Sequence, residues 1–552
     1  MSLKPQTVPP VPQETERIAR RAFPKGNVYM TIRDELGVVL TDELFAPLFS
    51  SRGKPAEAPW RLILVTLLQL IEDLSDQQAA DGVRSRIDWK YLLSLDVDDA
   101  GFDPAVLCEF RTRIAKAGLE EQLLDTLLEH LRKRNLVKSG GRQRTDATHV
   151  LSAARTLSRF ELVTETMRVT LDALAEAAPD WLRTVACVEW VDRYTTGWKA
   201  AFANKKAGRD ERALTVGADG FRLLGTLTQA PEKVRELPEA KLLWLVWLQN
   251  YQIQGDQIAW RDSDNVPPAS LFVRTPHDPE ARIGVKREEY WLGYKTHLTE
   301  TCDPDLPPII TDVRTTPAPT PDGEVIAPIH KDLKRKDLLP KQHYVDAGYT
   351  DSQNLVASEQ DYEVELVGPP RPGPGWQTKA ASGYDSSHFK IDWDKQVVTC
   401  PNGRTSRSWS SAVTAHKDPV IKVRFSASDC QVCEQSGRCF RSNSPSGARR
   451  LTFRPQTQHE ALVQARRRGV TPEYRAQYAV RSGIEGTISR YANACGARRA
   501  RYPGQARVHM SNVFMALAMN LLRVGEWYLN KATHCRCRSS FNKLMLASPC
   551  SA

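Results

Sequence analysis

The segment "YAVRSGIEGTISRYANACGARRARYPG", Tyr478 to Gly504, holds one acid, Glu485, among Arg481, Arg490, Arg498, Arg499 and Arg501. Between Glu485 and Glu526 there are six arginines and one histidine but no other carboxylate. Such an acid is either a surface residue paired with an arginine or a metal ligand at the edge of a polyanion-binding surface. The spacing of Tyr478, Arg481 and Glu485 puts all three on one face of a helix. Two further acids stand where α/β sheets place ligand groups, at strand ends before turns. Asp146 follows the extended run in "GRQRTDATHVLSA", and Asp346 ends "HYVD" before Ala-Gly-Tyr. Taken alone, each is more often structural than catalytic. In "YKTHL", Lys295 and His297 share one side of a strand, where they either touch phosphate or line an exposed edge.

A second set of residues has ligand chemistry. Cys400 lies in "VVTCPNGRT", and Cys430, Cys433 and Cys439 lie in "VRFSASDCQVCEQSGRCFR". Zn²⁺ takes four soft ligands in a tetrahedron, and a CxxC turn supplies two of them. The set is read as a structural zinc site, with four reduced thiols in a loop-rich unit as the alternative. A catalytic zinc is disfavoured, because four thiolates already close the tetrahedron. Cys535, Cys537 and Cys550 lack a metal-binding spacing.

The elements that must position these groups follow from periodicity. "PWRLILVTLLQLIEDLSDQQAADGVRSRIDWKYLLSL" carries helical apolar spacing, with Ser75 and Asp76 capping a new helix. A mostly helical block covers 154–259. Strands are expected in "YWLGYKTHLTET", "PPIITDVRTT", "HYVD" and "DYEVELVGPP", with a helix in "DGEVIAPIHKDLKRK". Interleaved strands and helices imply an α/β domain. The 552 residues imply three or four domains. A net charge of +10 draws the chain towards nucleic acid or anionic membrane. Its longest apolar run, "LILVTLLQLI", is too short for a span. No signal core opens the chain, and eleven cysteines argue against a disulfide framework, so the cytosol is expected. The region 440–510 is the most basic. Phosphate neutralisation there gives affinity without sequence information, so reading is expected from the N-terminal helices, with Arg84, Arg86, Arg111 and Arg113 as candidates.

With "TDATHV", "GYKTHLTE", "VDAGYTD", "YAVRSGIEGTISR" and "GARRARYPG" in this order, the chain resembles the bacterial insertion-sequence transposases of the DDE type. The resemblance spans about residues 25–525. It implies an α/β ribonuclease H-like catalytic core with a helical N-terminal domain, a helical insertion and a Cys-rich insertion. The expected divisions are a loosely ordered arm over 1–25, a helical DNA-binding domain over 26–139 and the first part of the core over 140–367. The helical insertion 154–259 interrupts that core. A Cys-rich insertion over 368–456, the C-terminal core helices with Glu485 over 457–528 and a frayed tail over 529–552 follow. By resemblance, Asp146, Asp346 and Glu485 hold two Mg²⁺ (or Mn²⁺). Tyr478, Arg481, Lys295, His297, Arg498, Arg499 and Arg501 are then expected on DNA. Some relatives carry a Lys seven residues after the Glu, where this chain has Ala492. The resemblance implies cleavage of double-stranded DNA at terminal inverted repeats and joining of 3′-OH ends to target DNA. It also implies a homodimer on DNA and a nucleoid-associated cytoplasmic location, with no membrane role. The alternatives are a ribonuclease H-like nuclease without strand transfer and a domesticated transposase acting as a DNA-binding repressor.

Overall fold

The computed structural model describes residues 1–195, 209–255, 257–286, 288–371, 376–377, 383–415, 417–441 and 447–533. A six-stranded mixed sheet organises the centre. Strand β1, Arg142–Leu151, lies in its middle, and its alternate residues point to opposite faces. The hairpin β2 (Tyr251–Gln254) and β3 (Gln257–Trp260) stands apart from this sheet. Strand β4 (Arg282–Lys286) runs into β5 (Glu289–Thr301), and β6 (Ile310–Pro317) follows. Both β4 and β6 pair antiparallel with one edge of β5, whose other edge pairs antiparallel with β1. Strand β7 (Gln342–Tyr344) lies parallel to β1, and β8 (Glu365–Val367) lies parallel to β7. The parallel strands need crossovers, which the helices Ile326–Arg335 and Ser352–Tyr362 supply.

The 29-residue helix Gln505–Thr533 ties the sheet to the N-terminal helices. Asn520 bonds both backbone groups of Ile310, at 2.7 and 2.8 Å. On its other side pack the helices Val28–Leu36, Pro59–Ile71 and Glu120–Lys133. The apolar run Leu62–Leu70 is buried there almost throughout, and Ser75 forms the expected capping box with Gln78. One hydrophobic core thus runs from Ile63 and Leu127 through Leu517 to Val313 and Ile329.

Three expectations need correction. The arm 1–25 is not loose. Residues Gln13–Ala22 form a helix braced by the ion pairs Glu14–Arg17 and Glu16–Arg20, and Thr15 donates to the Leu95 carbonyl at 2.7 Å. The helical block after β1 does not stay helical to 259. Its helices, from Arg159–Ala177 to Pro238–Asn250, share a core with Trp190, Trp247 and Phe272, and the β2–β3 hairpin closes it. The last helix runs on to Thr533, while 534–552, with Cys535, Cys537 and Cys550, lie outside the described residues.

Between β8 and Gln456 lies a small β unit. Strands β9 (Lys390–Asp392) and β10 (Val397–Thr399) pair with each other. Strands β11 (Ser408–Val413), β12 (Pro419–Arg424) and β13 (Arg450–Phe453) form an antiparallel sheet. Phe389, Val398, Val423, Phe425 and Phe453 fill its core, with Cys400, Cys430 and Cys439 packed against them.

Candidate active site

Three different elements bring the acids to one cleft of about 1030 Å³. Asp146 stands mid-strand on β1. Asp346 lies two residues beyond β7, where the Val345 amide still bonds the Val367 carbonyl at 2.9 Å. Glu485 sits on the short helix Gly483–Ser489. Lys286, Lys295, Arg371 and Arg498 also line the cleft, as do Glu289 and Asp322.

Each carboxylate is held differently. Asp146 Oδ1 accepts the Ala147 amide at 2.8 Å, and its Oδ2 accepts Arg481 Nη2 at 2.6 Å. Burial pushes the Asp146 carboxyl above its usual range, and the Asp346 charge adds to this. Arg481 and the Ala147 amide oppose it. Asp346 Oδ1 accepts the Gly348 amide at 2.6 Å. Glu485 is 68% exposed, with Oε1 3.5 Å from Arg481 Nη1. Arg481, itself only 15% exposed, therefore spans Asp146 and Glu485.

The Tyr-Arg-Glu run is not one unbroken helix. Tyr478 ends the helix Pro472–Tyr478, Arg481 lies in a 3₁₀ turn over Ala479–Ser482, and Glu485 follows in its own helix. The cause is local. Arg144 Nη1 donates to the Val480 carbonyl at 2.6 Å and approaches so close to Gly483 that a Cβ there would lie 2.1 Å from it. After Ser489 the chain widens into a π turn over Arg490–Ala494, a distortion often found at functional sites.

The other expected DNA contacts separate into two groups. Lys295 and Arg498 line the cleft, although Lys295 pairs with Asp322 at 2.5 Å. Arg498 Nη1 lies 3.2 Å from Thr148 Oγ1. Arg499 is exposed beside β1, where it bridges Leu151. His297, by contrast, is fully buried, with Nδ1 2.7 Å from the Tyr349 hydroxyl, so it does not reach phosphate in this arrangement. Tyr349 covers it there, while Lys295 on the same strand side reaches the cleft. Tyr478 donates to the Val345 carbonyl at 3.1 Å and stacks on Tyr474, which braces the loop before Asp346. Burial pushes its phenol up to about 12. Arg501 is engaged by Asp73 at 2.5 Å. Of the N-terminal candidates, Arg86 pairs with Glu72 and Asp88, Arg111 with Asp76, and Arg84 with Asp81. Arg113 bonds the Leu48 carbonyl. These arginines hold the helices together.

Cys400, Cys430, Cys433 and Cys439 line one small cavity of about 30 Å³. Cys400 Sγ accepts the Arg404 amide at 3.3 Å, and Cys433 Sγ accepts Asn402 Nδ2 at 3.4 Å. Among the described residues, however, no three His, Cys, Asp or Glu side chains are gathered as a ligand set, at either the acids or the thiols.

The sequence reading missed one buried acid behind the cleft. Glu300, the last letter of "GYKTHLTE", is completely buried and bonds Arg144, Thr487 and Arg523. An acid near the end of the strand, in register with Arg144 of β1, is what marks it.

The architecture is a mixed α/β sheet with acids on its central strand, just past a neighbouring strand and on a C-terminal helix. Comparison with known families agrees. Residues 399–524 match the transposase DDE domain, and residues 18–113 match a transposase domain, DUF772. The two matches support a DDE-type insertion-sequence transposase. The first contains Glu485 but neither Asp146 nor Asp346. A DDE domain implies a ribonuclease H-like fold and an enzyme that acts on DNA. No curated protein matches the chain. Among the described residues no helix is long and apolar enough to cross a membrane.

Proposed function

We propose that this transposase binds the terminal inverted repeats of its element, cleaves the DNA strands and joins the exposed 3′-OH ends to target DNA. The carrying observation is that Asp146, Asp346 and Glu485, from three separate elements, line one cleft together with Lys286, Arg371 and Arg498. Hard carboxylate oxygens suit Mg²⁺ or Mn²⁺, so the donor chemistry fits, and these three residues would hold the metals. Two such cations, when bound, would activate the attacking oxygen and stabilise the leaving oxygen.

The protein's own groups supply the rest. Asp146 and Asp346 are pre-aimed by backbone amides. Arg481 offsets their charge until the site is loaded, since clustered acids otherwise repel. Lys286, Arg371 and Arg498 neutralise strand phosphates at the rim. Two ends must be paired, which favours a homodimer on double-stranded DNA, in the nucleoid of the cytoplasm. The four cysteines fit zinc in donor type and would give a closed structural site.

Incubation with the flanking ends of its own element, Mg²⁺ and a target plasmid tests the reading. Joined products support a transposase. Cleavage without joining supports a nuclease of the same core. Binding without cleavage supports a DNA-binding repressor.

A further inference from the structure

Behind the cleft, on the far side from solvent, lies a charged cluster that the proposed chemistry does not use. Glu300 on β5 is directly opposite Arg144 on β1. Its Oε1 accepts Arg144 Nε at 2.7 Å. Its Oε2 accepts Thr487 Oγ1 at 2.7 Å and Arg523 Nη1 at 2.9 Å. Arg523, on the helix Gln505–Thr533, also donates to Thr487 Oγ1 and to the Pro308 carbonyl. Glu300 is 0% exposed, and Arg144 and Arg523 are nearly so.

Stability alone is a poor reason for this cluster. Burying two guanidinium groups and one carboxylate carries a desolvation penalty that their attraction often fails to exceed, and apolar replacements are often as stable. Its position supplies a better reason. Arg144 and Asp146 share one side of β1, because they are two residues apart on a strand. Thr487 is two residues after Glu485. At about 3.6 residues per turn, two steps carry a side chain to the opposite face of a helix. Thr487 therefore points inward where Glu485 points out, as their burial shows. Arg144 adds a second hold through the Val480 carbonyl. One carboxylate thus grips both the strand that carries Asp146 and the helix that carries Glu485.

We propose that Glu300 is a positioning residue that sets the separation of Glu485 from Asp146 through Arg144 and Thr487. The proposal rests on the reading of these acids as metal ligands. Glu300 touches no reacting atom. It fixes where the exposed acid can stand, and a misplacement of about 1 Å at a reacting centre costs roughly 100-fold.

The test uses the full chain, Mn²⁺ as probe and a duplex carrying one element end. Thr487→Val removes the hydroxyl and keeps the shape, Thr487→Ser restores the hydroxyl, and Glu300→Gln removes the charge. Thr166→Val, which deletes a buried hydroxyl bonded to the Leu162 carbonyl, reports a purely structural loss. Thr487→Val is expected to bind the duplex as wild type does. Its Mn²⁺ affinity, read by titration without DNA, should fall about tenfold or more, and its cleavage about 100-fold. Thr487→Ser should recover both, and Thr166→Val should change neither. If Glu300→Gln fails to fold, the threonine pair decides. Wild type that binds Mn²⁺ through Asp146 while Thr487→Val binds and cleaves equally well overturns the proposal alone. Wild type whose Mn²⁺ binding is absent, or is unchanged in Asp146→Asn, overturns the metal reading and the proposal with it.

Discussion

The strand side of the cleft and its helix side are built in opposite ways. Asp146 is part of a continuous strand, paired with β5 along its length and with β7 up to Arg144, and its two carboxylate oxygens are already engaged. Glu485 is largely exposed on a seven-residue helix that follows a 3₁₀ turn and precedes a π turn. The strand side is rigid by hydrogen-bonded register. The helix side is rigid only through side chains that reach it from elsewhere, Arg481 at its front and Arg144, Glu300 and Arg523 behind it. The place of the third acid therefore depends on side chains from other elements, whereas the first two are placed by backbone pairing and amides.

The largest effect tests whether the two sides serve one chemistry. Asp146→Asn, Asp346→Asn and Glu485→Gln should each reduce cleavage of an end-bearing duplex to background, while end binding in a gel-shift assay stays near wild type. A variant of any one acid that cuts at the wild-type rate would detach its side from the site.

Arg481 joins the two sides, so its replacement sharpens the contrast. A hydrogen bond to a charged group is worth about 1.5–3 kcal/mol, and about 1.4 kcal/mol is tenfold in rate. Arg481→Lys keeps the charge but not the planar fork that reaches both Asp146 and Glu485. Cleavage should fall by about ten- to a hundredfold, with end affinity nearly unchanged. If Arg481 were only an exposed i, i+4 partner of Glu485, worth about 0.3–0.5 kcal/mol, the variant would be nearly silent.

The two sides also differ in how well they can be read from sequence. The strand side was legible. Period-two alternation located β5, and Asp346 fell just past a short buried run with turn residues after it. Asp146 was expected at a strand end, but it stands mid-strand because the pairing of β1 with β5 continues to Leu151. The spacing of Arg481 and Glu485 was legible too, because 3₁₀ and α turns both keep such neighbours close. Side-chain destinations were not. His297 and Lys295 share one strand side, yet one lies in the core beneath Tyr349 and the other reaches Asp322. Only the packing of β6 and the Tyr349 loop decides this. The N-terminal arginines were candidates for DNA reading. Glu72 and Asp76, which meet Arg86 and Arg111, are brought there by helix packing that no local pattern encodes, whereas Asp81 and Asp88 are local partners of Arg84 and Arg86. The joint core of the N-terminal helices and the sheet depends on the helix Gln505–Thr533, hundreds of residues away in sequence.

Acid should affect the strand side first. His297, His330 and His343 are buried around β1, β5 and β7, and burial holds His297 and His330 neutral down to about 4. His343 is pushed well below its ordinary value, chiefly by burial and also by His330. Their folded values lie below the unfolded value of about 6.5, so the unfolded chain binds more protons in between. The stability of the neutral forms is therefore complete above about 6.5 and is lost as pH falls towards 4. Each drop from 6.5 to about 4 corresponds to on the order of 3 kcal/mol. Thermal unfolding should show Tm falling steeply across this window, and His297→Asn should flatten part of the fall. A Tm that is level from pH 7 to 4 would contradict the burial.

The smallest effect concerns the arginines beyond the helix. Arg498 and Arg499 carry no ion pair among the described residues, and Arg498 lines the cleft. Arg501 is already spent on Asp73 and the Leu74 carbonyl. A true phosphate contact releases a counterion, so its loss flattens the plot of log affinity against log salt by about one. Arg498→Ala and Arg499→Ala should each do so, weakening binding to all sequences alike. Arg501→Ala should leave the slope unchanged and cost only the few tenths of a kcal/mol expected of a partly exposed bridge. Duplex affinities of the three variants at several salt concentrations would read the difference directly. An Arg501 variant with a flattened slope would mean that the Asp73 pair opens on DNA, and that the helix side moves further on binding than its bridges imply.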